Sequence, residues 1–118
     1  MRDVSVLTDN GVDLESAIEL LGDLSFYDET IEDFVSEQDE RILKLEEYLA
    51  NQDMENYAIL VHALKSDSKY LGFKKLAELS YEQELASKAN NVDEVKEKIG
   101  ELKKESERIT KIAKEYLK

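Results

Sequence analysis

From residue 13 onward, hydrophobic residues recur at steps of three and four, the spacing that lines side chains along one face of an α-helix. Leu14, Ala17, Ile18 and Leu21 predict a short helix, with Asp13 placed to cap it and Gly22 to stop it. Ser25, followed three places later by Asp28, reads as the cap of a long helix over 26–51. Its apolar stripe is Ile31, Phe34, Val35, Ile42, Leu45 and Leu49, and Gln38 fills one slot, so a kink is expected near 38–40. Asp53 caps the next helix, which turns Tyr57, Leu60, Val61, Leu64 and Leu71 inward and ends at Gly72. Another begins at once with Phe73 and continues through Leu76, Ala77 and Ser80 towards Ala86. Asn91 and Glu94, at capping-box spacing, open the last, with a stripe of Val92, Val95, Ile99, Leu102, Ile109, Ala113 and Tyr116. Residues 1–12 hold "TDNG" and no sustained period.

Four long amphipathic helices joined by a few residues favour antiparallel neighbours. The fold class expected is therefore all-α, an antiparallel up-down four-helix bundle with a short extra N-terminal helix over one end. Residues 13–118 would form this helical bundle domain, and 1–12 an N-terminal extension. With 118 residues, 4 Gly and no Pro, the chain has the length for one core and few breakers to interrupt long helices.

Charge narrows the possible partners. Sixteen Lys and Arg stand against 28 Asp and Glu, a formal charge of −12, so no general field attracts nucleic acid or an anionic membrane surface. The absence of cysteine removes disulfides, thiolate chemistry and cysteine-ligated metal. The start "MRDVSVLTDNGVDLE" lacks the apolar segment of a secretory leader, and no stretch approaches the roughly 20 apolar residues of a membrane span. A cytoplasmic location is expected. The acidic runs "DLESAIE" and "SEQDER" fall at helical spacing and read as solvated faces, so no metal site is expected.

Candidate chemistry gathers in "HALKSDSKYLG", residues 62–72, which holds the only histidine. At about 100° per residue, His62 points roughly 170° from the inward direction of its helix, with Glu55, Ala58, Lys65, Ser66 and Lys69 on the same side. Lys65, one turn on, puts a cation where a phosphoryl group added to the imidazole would need neutralising. Ala58 and Ser66 are small and leave the ring open to a macromolecule, and Ile59 is an apolar residue off the core stripe, suited to docking. On the following helix Glu84 lies within roughly 30° of the inward direction, where an ionised carboxylate needs a partner. If the chain reverses at Gly72, His62 and Glu84 reach heights of about 15 and 18 Å from the turn, so the two can meet. A carboxylate accepting the Nδ1 proton would fix the tautomer and leave Nε2 with its lone pair outward as a nucleophile.

The stretch "HALKSDSKYLGFKKLAELSYEQE" resembles the signature of histidine-containing phosphotransfer (HPt) domains. In that signature a histidine is followed by lysine at +3, glycine at +10, leucines at +14 and +17 and a polar residue at +22, here His62, Lys65, Gly72, Leu76, Leu79 and Glu84. "GVDLESAIELLGDLSFYDETIEDF" is similar to the family's leading short helix and the start of its first long one, so the resemblance covers most of 11–115. It implies a phosphocarrier that takes a phosphoryl group on His62 from an aspartyl phosphate of a response-regulator receiver domain and passes it to a receiver. A hybrid histidine kinase is a further partner the resemblance allows. Lys65 would stabilise the phosphoryl group, Glu84 orient the imidazole, and Gly72 set the register between two helices; Ala58, Ile59, Ser66 and Lys69 would meet the receiver. The carrier needs no cofactor of its own, because the receiver supplies Mg2+, and it is expected to act as a monomer.

Two positions depart from the family pattern. Ser66 stands where glycine is frequent and is still small; Asp67 stands where a small residue is frequent and brings a negative charge near the site, at an angle that turns it from His62. The alternative function is a bundle that binds receivers or another protein without chemistry, against which the intact His62 and Lys65 argue. An enzyme with a self-contained active site would need parts this chain lacks, such as a glycine-rich phosphate loop or an ATP-binding segment.

Overall fold

Four helices start at a side chain that satisfies a backbone N–H their first turn leaves free. Asp13, Asp23, Asp53 and Asn91 accept from the N–H groups of Ser16, Phe26, Asn56 and Glu94, respectively. These caps punctuate a computed structural model that describes residues 2–118 as six helices: α1 (Ser5–Thr8), α2 (Leu14–Leu21), α3 (Leu24–Ala50), α4 (Met54–Tyr70), α5 (Lys74–Lys88) and α6 (Val92–Leu117). No strand occurs among the described residues. α3 packs on α4 and α6, and α5 on the same two, so the four long helices enclose one core; α2 lies against α3 and α4, and α1 against α6.

The capping residue of α3 is Asp23, not Ser25. Asp23 has the extended backbone a cap requires and binds the Phe26 N–H at 2.8 Å, which starts the helix two residues early. α3 also runs without a break through 38–40. Gln38 is buried there, and its amide donates to Ser106 Oγ on α6 at 2.8 Å, so the polar slot in the stripe is answered across the core.

The stripes read from the sequence form the core with corrections at their edges. Ile31, Phe34, Leu45, Tyr57, Val61, Leu64, Leu71, Phe73, Leu76, Val95, Leu102, Ile109, Ala113 and Tyr116 are buried, whereas Val35, Ile42, Leu60, Val92 and Ile99 pack half-buried around them. Tyr27 and Met54 join the core from the first turns of their helices. Leu7 and Val12 are buried too, although residues 1–12 show no period: a four-residue helix is too short to display one. Arg108 on α6 ties this segment down by donating to the Asn10 carbonyl at 3.1 Å while its other nitrogens hold Glu105.

The turn between α4 and α5 sets the register of the site. Gly72 adopts φ +78°, a conformation that costs a residue with Cβ, and the Asp13 N–H donates to its carbonyl at 2.9 Å. A Cβ at Gly72 would stand 2.4 Å from the Asp13 carbonyl oxygen, backbone that has nowhere to go. The Tyr27 hydroxyl donates to the neighbouring Leu71 carbonyl at 2.8 Å, and the Lys74 ammonium pairs with Asp13 at 2.9 Å. α2, α3, α4 and α5 thus meet at one glycine.

Gly72→Ala is expected to cost roughly 2 kcal/mol or more in urea unfolding, from the positive φ and the collision together. Leu64→Ala, which empties a fully buried position, is expected to cost about 2–5 kcal/mol in the same measurement.

Candidate functional site

α4 carries His62 outward, with 55% of its side chain exposed, and α5 carries Glu84 inward at 2%. The register fixed at Gly72 brings them together, with His62 Nδ1 2.6 Å from Glu84 Oε2. An ionised carboxylate can only accept, so the Nδ1 facing it is the donor, which in the neutral ring leaves the lone pair on the exposed Nε2. Two ammonium groups complete the cluster. Lys65 donates to Glu84 Oε1 at 2.7 Å and Lys88 to Oε2 at 2.9 Å.

Burial alone would raise the Glu84 pKa, but the hydrogen bonds from Lys65, Lys88 and His62 outweigh it and hold the carboxyl down to about 2. The carboxylate is therefore ionised throughout the neutral range, and it acts as a fixed acceptor at the back of the imidazole.

The remaining candidates divide. Ile59 and Lys69 are exposed, Ser66 is half-buried, and Lys65 is half-buried with its ammonium 5.0 Å from the centre of the Tyr81 ring. Ala58 is only 7% exposed and does not belong to the open face: it lies one turn from both Met54 and Val61, on their buried stripe. Asp67 points away from the imidazole and accepts from Arg41 of α3 at 2.9 Å, an ion pair that joins two helices. The charge that departs from the family pattern is thereby spent on the scaffold.

Next to the cluster lies a cleft of ≈ 480 Å³ between α2, α4 and α5. Lys65, Lys69 and Lys74 edge it, and Leu20 and Tyr81 give it an apolar wall, both about half exposed. Asp13 and Glu78 line it as well, and Lys74 is paired with Asp13.

Sequence reasoning missed Lys88, Tyr81 and the Asp67–Arg41 pair. Lys88 had a readable signal, since it follows Glu84 by four residues on one helix. The Arg41 contact crosses between helices and had none. No group of three or more His, Cys, Asp or Glu side chains suited to a metal ion occurs among the described residues, and none of their helices is long and apolar enough to cross a membrane.

The helical bundle thus holds a solvent-facing imidazole against a buried carboxylate, with a lysine one turn along. The chain belongs to the Hpt domain family, whose pattern it matches over residues 29–111. That span includes His62, Lys65, Gly72, Glu84 and Lys88, and leaves α1 and α2 outside. Comparison with curated proteins and with solved structures gave no match. Hpt domains serve histidine phosphotransfer in two-component systems and interact with receiver domains and histidine kinases.

The low folded-state pKa of Glu84 has a definite sign for stability. The carboxyl binds protons less readily folded than unfolded, so its contribution is complete above the ordinary value of 4.5 and is lost as pH falls towards about 2. Urea unfolding at pH 6 and pH 3 is expected to show a smaller loss of stability on acidification for Glu84→Gln than for the wild type.

Proposed function

We propose that this protein is a phosphorelay carrier in which His62 takes a phosphoryl group from a receiver aspartate and hands it to a receiver. The observation that carries this reading is the 2.6 Å contact between Nδ1 and the buried Glu84 carboxylate on a ring otherwise open to solvent. Nε2 attacks phosphorus; the N–P bond forms as the P–O bond to the receiver breaks, and the electron pair leaves with the receiver carboxylate. The ring becomes cationic with its Nδ1 proton in place, and the ionised Glu84 stabilises that charge where it develops. Return to a receiver carboxylate reverses these bonds. Because the transfer needs no net proton uptake or release, orientation and charge are what the protein supplies.

Lys65 neutralises the phosphoryl oxygens, and Gly72 keeps α4 and α5 in the register that brings Glu84 under the ring. Ile59, Ser66 and Lys69 form the face that meets the receiver, extended by the cleft walls Leu20 and Tyr81; Ala58 contributes by being small beneath that face. The Lys65 and Lys69 ammonium groups beside the cleft complement an acidic phosphoacceptor pocket. Magnesium belongs to that pocket in the receiver, and this chain contributes no ligand to it. The carrier works as a monomer in the cytoplasm, and a hybrid histidine kinase is a further partner. Its four long helices run up and down as an antiparallel bundle, an order supported by their short joints and their packing around one core.

On incubation with a phosphorylated receiver, label is expected to move to the wild type and not to His62→Gln. Label retained on the Gln variant would overturn the assignment of the acceptor. A wild type that binds receivers and takes no label would instead make it an interaction module.

A further inference from the structure

Lys65 carries two demands that conflict. Its ammonium is already bonded to Glu84 Oε1 at 2.7 Å, yet a phosphoryl group on the neighbouring imidazole needs that same cation. Drawing Lys65 away would leave a carboxylate of 2% exposure short of a charged partner, which is costly in a site that water barely reaches. Lys88 resolves the conflict. It comes from the last turn of α5, is 62% exposed, and holds Glu84 Oε2 at 2.9 Å, on the oxygen that His62 also uses. With Lys88 in place, Glu84 keeps one full positive charge and the imidazole N–H after Lys65 turns outward.

We infer that Lys88 is a positioning residue for phosphotransfer: it keeps Glu84 compensated so that Lys65 can exchange the carboxylate for the phosphoryl group. The inference rests on His62 as the phosphoacceptor. Charge bookkeeping supports the exchange. Before transfer, two ammonium groups share one carboxylate; afterwards Lys88 answers Glu84 and Lys65 answers the phosphoryl oxygens, and no new cation has to be recruited. The Lys65 ammonium also lies 5.0 Å from the centre of the Tyr81 ring, a weak contact beside its bond to Glu84. A lysine near a helix C-terminus also complements the helix dipole. That structural role predicts an effect on stability alone, which sets it apart from a role in transfer.

Lys88→Ala and Lys88→Arg would be compared with the wild type in single-turnover transfer from a phosphorylated receiver, with receiver affinity measured separately. Lys88→Ala is expected to slow transfer about tenfold at unchanged affinity, and Lys88→Arg to restore most of the rate. In a Lys65→Ala background Lys88 is the last ammonium on Glu84, so adding Lys88→Ala is expected to slow transfer further. The unphosphorylated proteins supply an independent reading through the 15N shifts of the imidazole. Lys65→Ala should keep the Nδ1–H tautomer and the Lys65→Ala/Lys88→Ala double variant should lose part of it. A Lys88→Ala protein that transfers at the wild-type rate, or a double variant with the tautomer intact, overturns the role of Lys88. A wild type that accepts no label overturns the phosphoacceptor reading itself.

Discussion

Glu84 keeps a negative charge at a point that solvent scarcely touches, and three donors converge there to compensate it. Each donor comes from a different place in the chain's geometry: His62 and Lys65 from successive turns of α4, and Lys88 from the next turn of α5 itself. An isolated buried carboxylate would take up a proton, whereas this one is held ionised by its partners, and that fixes which imidazole nitrogen is free. The chemistry available at the surface is thus decided by an electrostatic balance beneath it.

That balance depends on register. A shift of one residue between α4 and α5 would rotate Glu84 by about 100° and carry it off the imidazole. The shift is blocked at Gly72, where the positive φ, the hydrogen bond from Asp13 and the Tyr27 hydroxyl on Leu71 act on adjoining residues. Scaffold and site are separate in their parts: apolar packing holds the helices together, while a few polar contacts at the turn decide how they are phased. The Asp67–Arg41 pair, though polar, also ties two helices of the scaffold together, which explains how a charge so near His62 in sequence has no part in the cluster.

Much of this was legible in the sequence because helices convert spacing into direction. The outward angle of His62, the inward angle of Glu84 and their similar distance from the turn follow from residue numbers once the chain reverses at Gly72. Caps at Asp13, Asp53 and Asn91 were equally local. What escaped notice was mostly non-local or marginal. Asp67 finding Arg41 needs the relation of α3 to α4. Leu7 reaching the core needs a place for a helix too short to show a period. Ala58 fell on the wrong side because it sits at the border of its stripe, where an error of a few tens of degrees changes burial. Asp23 displaced Ser25 as a cap since two good capping residues lay within one turn of each other, and only backbone geometry distinguishes them.

The bond between Asp13 and Gly72 has a kinetic meaning as well. The α4–α5 hairpin joins neighbours in the chain, so His62 and Glu84 can meet early in folding, at little cost in loop closure. The contact that locks their turn comes from Asp13, which the whole of α3 separates from the hairpin, so it closes a far longer loop. The cluster around His62 is therefore assembled from neighbouring sequence, while the contact that secures its turn joins residues far apart in the chain.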